Sequence, residues 1–263
     1  MKLFHRVADD VKAYFPYTKY SAKSDLKAEV ASSYLNWLWW ILDPMLFMMV
    51  YTFIAIVVFR SGKPYFPVFV FVGLTLWTFF NKTVLSSVKI IRSNSHIISK
   101  VYLPKYFLIF QNMMVNGFKM LISFLLIIVM MVLYRVPVTF NVIYIIPIMV
   151  DLVLITFGVS CFMLHFGVFV DDLHNVMQVL LRLMFYLTGI FFSISDKVPE
   201  PYLTILLKCN PAAMLIESAR MCLLYSQTPY RKLIVLWGCV GVVLCITGTR
   251  TIYKYENGYV KVM

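Results

Sequence analysis

The sequence predicts an all-α membrane protein with six transmembrane helices, an N-terminal amphipathic helix, and a re-entrant external helical hairpin between spans five and six. Of the 263 residues, 61% are hydrophobic and only 14% are charged, and mean hydropathy is +0.82, outside the usual range of soluble globular proteins. The first of several long apolar runs, residues 35–59, covers about 25 residues and can therefore cross a hydrocarbon layer of about 30 Å. Basic residues concentrate in short segments between such runs, which is the positive-inside pattern of membrane proteins.

Residues 1–34 are predicted to form a cytoplasmic amphipathic segment. Phe4, Val7, Val11 and Tyr14 recur at nearly helical spacing and would share one stripe. A basic amphipathic helix of this kind lies on the cytoplasmic leaflet. An unstructured basic tail is the alternative, and it also places the N-terminus in the cytoplasm.

The remaining residues, 35–263, are predicted to form one six-span membrane domain. The first span carries a single ionisable group, Asp43, followed directly by Pro44. Burying an ionisable group in a span is costly unless the group is paired or hydrated, so Asp43 is a candidate functional residue. A helix-bending Asp-Pro step that a neighbouring helix satisfies is the structural alternative. The span ends in a predicted tight external turn, residues 60–64.

The second span, residues 66–88, leads into a basic inner segment, residues 89–106. Its lysines and arginines mark it as cytoplasmic. Apolar residues at helical spacing predict a short helix, which ends before Pro104 because the residue preceding a proline disfavours the helical conformation. We therefore expect residues 89–104 to form a structured loop and not a flexible linker.

The third, fourth and fifth spans are predicted at residues 105–133, 142–169 and 176–192, with an external turn at residues 134–141. The inner turn after the fourth span is very short and carries no Lys or Arg, so the charge rule gives no orientation there.

Besides Lys105 at the start of the third span, three charged residues fall within these spans. Lys119 lies close enough to the cytoplasmic end of its span for its side chain to reach the headgroups. Asp151 and Arg182 lie on adjacent spans and could form an ion pair, and we expect a structural pair in preference to a contact with substrate.

Residues 193–232 interrupt the pattern of long spans. Two short apolar pieces, Val198–Leu207 and Ala212–Tyr225, cannot cross a bilayer and are typical of interfacial or re-entrant helices. Irregular backbone at membrane depth is tolerated only where protein or water covers it, so residues 198–225 are predicted to form a gate on the outer side. Five basic residues in this segment count against an external position, but an internal position would leave the C-terminus outside. A sixth span, residues 233–252, then returns the chain to the cytoplasm.

Glu217 and Arg220 are three residues apart in this segment and would share one helix face. The pair has two interpretations, a solvated local ion pair or the latch of a gate.

No motif for nucleotide hydrolysis, metal binding or acyl transfer is found. The sequence contains no GxxxxGK[ST], HExxH or GxSxG pattern and no paired Cys/His spacing. The net charge of +12 is accounted for by the inner segments, so nucleic-acid binding is not expected. We predict no catalytic residue, no metal and no cofactor on this chain, and any uphill transport would draw energy from a partner or an ion gradient.

Aromatic residues make up 17% of the chain, and most of them should face lipid or neighbouring helices. A minority facing a pathway would offer flat apolar surfaces over which sugar rings can slide. The candidate pathway-lining residues are Asp43, Tyr51, Trp77, Phe80, Phe185 and Tyr186.

Four stretches, in this order along the chain, carry a family resemblance. The first two are SYLNWLWWILDPMLFMMVYTFIAIVVF and FVGLTLWTFF. The third is SNSHIISKVYLPKYF, with Asn94, Ile98, Lys100, Val101 and Pro104, and the fourth is CNPAAMLIESARMCLL, with Asn210, Pro211 and Arg220. Together they resemble the ABC exporter permeases for lipid-linked polysaccharides, the O-antigen and teichoic-acid export group. One departure is Asp171–Asp172, which stands where that family has Arg-Asp after the fourth span.

The resemblance implies a homodimeric, multi-pass permease of the bacterial plasma (inner) membrane with both termini cytoplasmic. Its partners would be a second copy of itself, two separately encoded ATP-binding subunits that hold ATP and Mg, membrane lipids, and a lipid-linked glycan or teichoic-acid polymer that is exported. The inner segment would be a coupling helix that docks on the ATPase through Arg92, Asn94, His96, Ile97, Ile98 and Lys100. The external gate would include Asn210, Pro211, Glu217 and Arg220.

Three alternatives remain open. An ABC exporter of a smaller lipid or drug shares this arrangement of spans. A membrane-embedded transferase would use Asp43, Asp151 or the Asp171/Asp172 pair, which could also bind a metal. An ion-coupled secondary carrier would transport without an ATPase.

Overall fold

The computed structural model describes residues 2–31, 34–58 and 64–259, and the side chains in these ranges except those of residues 2–8, 55 and 58. All regular structure in these ranges is helical. The predicted external turn at residues 60–64 lies outside the described residues except for Pro64, and the side chains of Phe4 and Val7 also lie outside them.

The α-helices are α1 (Lys2–Val30), α2 (Trp39–Phe53), α3 (Phe66–Ser93), α4 (Ser95–Ile98), α5 (Tyr106–Leu133), α6 (Ile145–Phe169), α7 (Leu173–Leu187), α8 (Ile194–Lys197), α9 (Tyr202–Cys209), α10 (Pro211–Leu224) and α11 (Arg231–Tyr259). A 3₁₀ turn, Asn36–Leu38, leads into α2, and a π-helical turn, Ile54–Val58, follows it. A second 3₁₀ turn, Phe140–Tyr144, leads into α6.

Within the described ranges, four helical stretches are long and apolar enough to cross a membrane. These are α3, α5, Phe140–Phe169 and α11. They match the second, third, fourth and sixth predicted spans. The regions of the first and fifth predicted spans contain shorter α-helices, α2 and α7, of 15 residues each.

Helix α7 ends at Leu187, five residues before the predicted end of the fifth span. The reason is Gly189, whose φ of +65° is the left-handed conformation that commonly terminates a helix. Helix α11, which meets no such residue, continues to Tyr259 and extends past the predicted limit of the sixth span.

Helix α3 forms the centre of the bundle. Most of its side chains are buried, and it packs against α2, α5, α6, α7 and α10. Its 28 residues correspond to about 42 Å of helix. Helix α3 therefore reaches from one end of the bundle to the other.

Helices α6 and α11 pack closely through small residues. A Cβ added at Gly158 would lie 2.5 Å from Leu244 Cβ, and one added at Gly248 would lie 2.6 Å from Cys161 Cβ. Small residues that allow such close approach are typical of helix pairs in membranes.

Residues 2–30 form a helix and not an unstructured tail, but its contact face differs from the predicted apolar stripe. Asp10, Tyr14, Thr18 and Ala22, four residues apart, are buried or half-buried, whereas Val11 is 38% exposed. The contact face differs from the predicted apolar stripe because polar residues of α1 form hydrogen bonds and an ion pair with residues of α5.

Three acidic residues of α1 contact α5 directly. Tyr106 Oη donates to Asp10 at 3.2 Å, Gln111 Nε2 donates to Asp25 at 2.6 Å, and Lys119 Nζ lies 2.6 Å from a Glu29 carboxylate oxygen. Lys119 is therefore held by an ion pair with α1.

The expected ion pair between Asp151 and Arg182 does not form. Asp151 is buried and faces Gly238 of α11, because α6 packs mainly on α3 and α11. Arg182 is exposed on α7, which contacts α6 only slightly. Their adjacency along the chain did not bring the two charges together.

Candidate functional site

The inner connection between α3 and α5 is folded around Asn94. Asn94 leaves the helical conformation with a φ of −109° and ends α3, while its side-chain amide donates to the Ile90 carbonyl at 2.8 Å. Its own carbonyl accepts the N–H groups of Ile97 and Ile98, each at 3.0 Å, and so begins α4. A short helix is present, but it covers only Ser95–Ile98 and ends well before the limit predicted at Pro104.

Arg92 ties this connection to the chain that follows α6. Its guanidinium donates to the Val168 carbonyl at 3.3 Å and forms a hydrogen-bonded ion pair with Asp171. Asp171, which the sequence analysis named as a departure from a motif and as a candidate residue of a transferase, is thus the partner of a predicted coupling residue. With these contacts made, the Arg92 side chain is still 47% exposed.

The end of the connection is anchored to α11 and carries a local hydrogen bond. Tyr102 Oη donates to Glu256 of α11 at 2.9 Å, and Lys105 Nζ donates to the Leu103 carbonyl at 3.1 Å. Burial lowers the pKa of Lys105, and nearby Glu256 opposes that shift. The segment is therefore a fixed structure, held at both ends.

The six predicted coupling residues differ in exposure. Ile98 is buried against the bundle, and Asn94 and Ile97 are half-buried. Arg92, His96 and Lys100 are exposed. The surface that this loop offers to a partner is therefore basic, with an apolar residue beneath it.

The backbones of α3 and α6 touch directly beneath this loop. A Cβ added at Gly167 would lie 2.0 Å from the Val88 carbonyl oxygen and 3.0 Å from Val88 Cα. Only glycine permits this approach, because a backbone atom cannot rotate away as a side chain can.

Near the opposite end of α3, two short helices, α9 and α10, occupy the region of the predicted hairpin. They have 8 and 14 residues and meet at Asn210. The Asn210 side chain accepts the N–H of Ala213 at 3.2 Å, and Pro211 occupies the first helical position. This is the preferred arrangement for a helix start.

Arg220 joins α10 to two other elements. Its guanidinium is 1% exposed and donates to three backbone carbonyls, those of Phe69 at 3.1 Å, Gly189 at 2.8 Å and Ile190 at 3.0 Å. It also lies over the Phe69 ring, 3.6 Å from the centroid. A Cβ at Gly73 would lie 2.4 Å from Arg220 Nη2, so the glycine leaves room for the guanidinium.

Glu217 completes this cluster. One carboxylate oxygen accepts from the hydroxyls of Ser193 and Ser195, both at 2.9 Å, and the other lies 3.6 Å from Arg220 Nη1. Ser195 also contacts the Tyr230 hydroxyl at 3.0 Å. Because Glu217 is 4% exposed, the interpretation of a solvated pair with Arg220 is wrong.

Only part of this cluster could be found from the sequence. Sequence spacing indicated the pair, but the carbonyls from α3 and from the residues after α7 carried no sequence signal.

A cavity of about 460 Å³ lies between the two ends of α3. Residues of α2, α3 and α5 line it, together with Glu29 of α1 and Phe185 of α7. Four of the six predicted pathway residues, Asp43, Tyr51, Trp77 and Phe185, are among them. Tyr51 and Trp77 both contact the Phe185 ring, at centroid distances of 6.3 and 5.9 Å.

The other two predicted pathway residues lie elsewhere. Phe80 is buried behind Trp77, with their rings 5.8 Å apart, and Tyr186 is exposed on α7.

One wall of the cavity is polar, which the sequence analysis missed. It contains Lys82, Asn116 and the Lys119–Glu29 ion pair. Asn116 donates to Thr83 at 3.1 Å. The cavity thus combines aromatic surfaces with two ammonium groups.

The described residues therefore define an all-α membrane protein with a fixed basic loop and a helical hairpin at opposite ends of its central helix. The chain matches no family profile. It is similar to the O-antigen export system permease protein RfbA of Klebsiella pneumoniae, 30% identical over 240 residues, which are 91% of this chain and 92% of the relative. The protein of the same name from Myxococcus xanthus is 27% identical over 220 residues, 84% of this chain and 85% of the relative.

The chain belongs to the family of O-antigen export system permeases. The similarity confirms the resemblance that the four sequence stretches carry, and the permease names fit a transport subunit and not an enzyme.

Proposed function

We propose that this chain is the transmembrane subunit of an ATP-driven ABC exporter. It moves a lipid-linked polysaccharide or teichoic-acid polymer outward across the bacterial plasma (inner) membrane. The observation that carries the proposal is the similarity to O-antigen export permeases over about nine-tenths of both chains. ATP and Mg bind to a separate subunit, and this chain binds no cofactor.

The proposed topology has six spans, with α2 and α7 as the first and fifth and both termini in the cytoplasm. The hairpin of α9 and α10 is re-entrant on the outer side. Two facts support it. The helices of the hairpin have only 8 and 14 residues, and a span needs about 20. Arg220 of α10 also donates to the carbonyls of Gly189 and Ile190 in the non-helical segment after α7, and non-helical backbone at membrane depth requires such partners.

The loop around α4 is the proposed docking site for the ATP-binding subunit. Its exposed Arg92, His96 and Lys100 form a basic surface. Its hydrogen bonds to α6 and α11 would transmit a displacement of the loop to the helix bundle. Helix α3 runs from this loop to Phe69 and Gly73, which contact Arg220 of α10. A single helix therefore links the docking site of the ATP-binding subunit (the motor subunit) to the hairpin.

Two copies of the chain form the pathway. Adjoining apolar faces of α2 and α7 are exposed, with Phe53 62% and Tyr186 61% accessible. A second copy would cover part of these faces. When ATP binding draws the motor subunits together, a seam between the first and fifth spans opens for the lipid, and the sugar chain follows along aromatic surfaces.

The proposal is tested with the purified chain and its ATP-binding partner subunit, reconstituted in liposomes with a fluorescent lipid-linked glycan. ATP-dependent translocation of the glycan is expected, and a hydrolysis-deficient motor subunit should abolish it. Transport of small lipids alone, transport without the motor, or turnover of substrate by the isolated chain would each favour one of the other classes.

The coupling assignment has its own test. Lys100→Glu reverses a charge on the proposed docking surface, and Lys208→Glu, equally exposed on the hairpin, is the matched control. We expect Lys100→Glu to weaken association with the motor subunit and Lys208→Glu to leave it intact. Equal association of both variants would contradict the assignment.

A further inference from the structure

A second cavity, of about 320 Å³, lies at the end of α5 that is remote from the α4 loop. Ten of the eleven described residues that line it are apolar, among them Ile127, Met131, Val142 and Leu223. It opens toward the lipid-facing side of the bundle, where Ile128 is 60% exposed. A water molecule needs polar partners that these walls do not offer, so the cavity is suited to hydrocarbon.

The eleventh lining residue is Arg135. It lies two residues after the end of α5, in a turn that Val136 closes by donating its N–H to the Met131 carbonyl at 2.9 Å. Arg135 has a φ of +53°, and its side chain is exposed. The described lining residues include no carboxylate to neutralise it.

Arg135 lies in the turn between two helices that are long and apolar enough to cross a membrane. The apolar helix α5 ends at Leu133, and the next membrane helix begins at Phe140. Positive side chains at the end of a span meet the headgroup layer. One guanidinium therefore stands at phosphate level, directly above an apolar cavity that is open to the bilayer.

We infer that this cavity binds one acyl chain of a membrane phospholipid whose phosphate pairs with Arg135. The guanidinium binds phosphate through charge-assisted hydrogen bonds. A free phosphate ion would satisfy only the guanidinium and leave the apolar walls uncovered. A phospholipid satisfies both.

The bound lipid would also support the hairpin. Leu223 belongs to α10, and Ser226, just beyond α10, is tied to the α5–α6 turn. The Ser226 hydroxyl donates to the Pro137 carbonyl at 3.0 Å, and its own carbonyl accepts from Asn141 at 2.8 Å. The lipid would fill the space beneath this connection.

The test uses nanodiscs that contain phosphatidylglycerol with a photoreactive diazirine in one acyl chain, followed by mapping of the labelled residues by mass spectrometry. We expect Met131 and Leu223, both buried, to be labelled more strongly than Leu121 and Leu125, which face lipid on α5 outside the cavity. Labelling of Met131 and Leu223 no stronger than at these two control positions would overturn the inference.

Three variants separate the acyl-chain site from the phosphate site. Ile128→Trp fills the mouth from an exposed position and should remove the labelling of Met131. Arg135→Asn, which suits the left-handed backbone, should weaken retention of the labelled lipid about tenfold, while Arg135→Lys keeps the charge and should retain it. Arg250→Asn, an exposed arginine near the other end of the bundle, is the control.

Two further outcomes would overturn the inference. Labelling unchanged by both Ile128→Trp and Arg135→Asn would show that the lipid is not held in the cavity. Displacement of the labelled lipid by inorganic phosphate alone would show that the guanidinium is an anion site that needs no acyl chain.

Discussion

The two ends of α3 are held by charges in opposite ways. At the α4 loop, Arg92 and Asp171 pair at the surface, with side chains 47% and 81% exposed. At the hairpin, Arg220 and Glu217 are 1% and 4% exposed and are satisfied by backbone and serine groups. Exposed pairs contribute little and are screened by salt, whereas a buried charge that loses its partner is very costly. The hairpin is therefore held by buried charges, whereas the charged side chains of the loop remain accessible to a partner protein.

The largest expected effect is at the hairpin. Arg220→Ala removes the donors of three carbonyls and leaves Glu217 buried without a cation, which should destabilise the fold by about 3–5 kcal/mol. Arg220→Lys should rescue little, because an ammonium cannot reproduce the planar set of donors. Thermal unfolding in detergent, followed by size-exclusion chromatography, measures both.

The matched control for this prediction is Arg182→Ala, which removes an exposed arginine from α7. Its unfolding temperature should stay near that of the wild type. If Arg182→Ala and Arg220→Ala lowered the unfolding temperature equally, burial would not explain the contribution of Arg220 to stability.

An intermediate effect is expected beneath the loop. Gly167→Ala places a Cβ against the Val88 backbone, and we expect a loss of about 1–3 kcal/mol as α3 and α6 separate. Gly258→Ala, which has no atom within 4 Å of its added Cβ, should be neutral in the same unfolding assay. If neither Gly167→Ala nor Gly258→Ala changed the stability, the idea that the close contact between α3 and α6 supports the loop would be wrong.

The smallest effect is expected for the exposed pair itself. Asp171→Asn should change stability by less than about 1 kcal/mol, and the difference should vanish in high salt. The corresponding change at the hairpin, Glu217→Gln, should persist in high salt because the site is buried. Unfolding temperatures at low and high NaCl measure both, and equal salt dependence would remove the contrast between the two ends.

Local sequence signals predicted helix positions well and side-chain partners poorly. The break at Asn210–Pro211 follows from residues that act on their own backbone, whereas α4 ends at Ile98, well before the predicted limit at Pro104. The early end of α7 depends on Gly189, one residue within an apolar run. Helix type and approximate extent were therefore readable from the chain.

Burial and pairing were not readable because they depend on distant elements. Glu217 and Arg220 have the same spacing whether solvated or buried, and only Phe69, Gly189 and Ile190 decide between the two. The same limitation explains the wrong Asp151–Arg182 pair. The roles assigned to the coupling, gate and pathway residues stay predictions.

The docking of α1 on α5 has a consequence for synthesis on the ribosome. Asp10, Asp25 and Glu29 contact residues that lie 86 to 96 positions further along the chain. Helix α1 therefore leaves the ribosome well before α5, on which it docks. It stays undocked at the membrane until α2, α3 and α5 have been inserted. An arrest peptide that stalls translation before Tyr106 should leave this helix open to protease, and one placed after Leu133 should protect it.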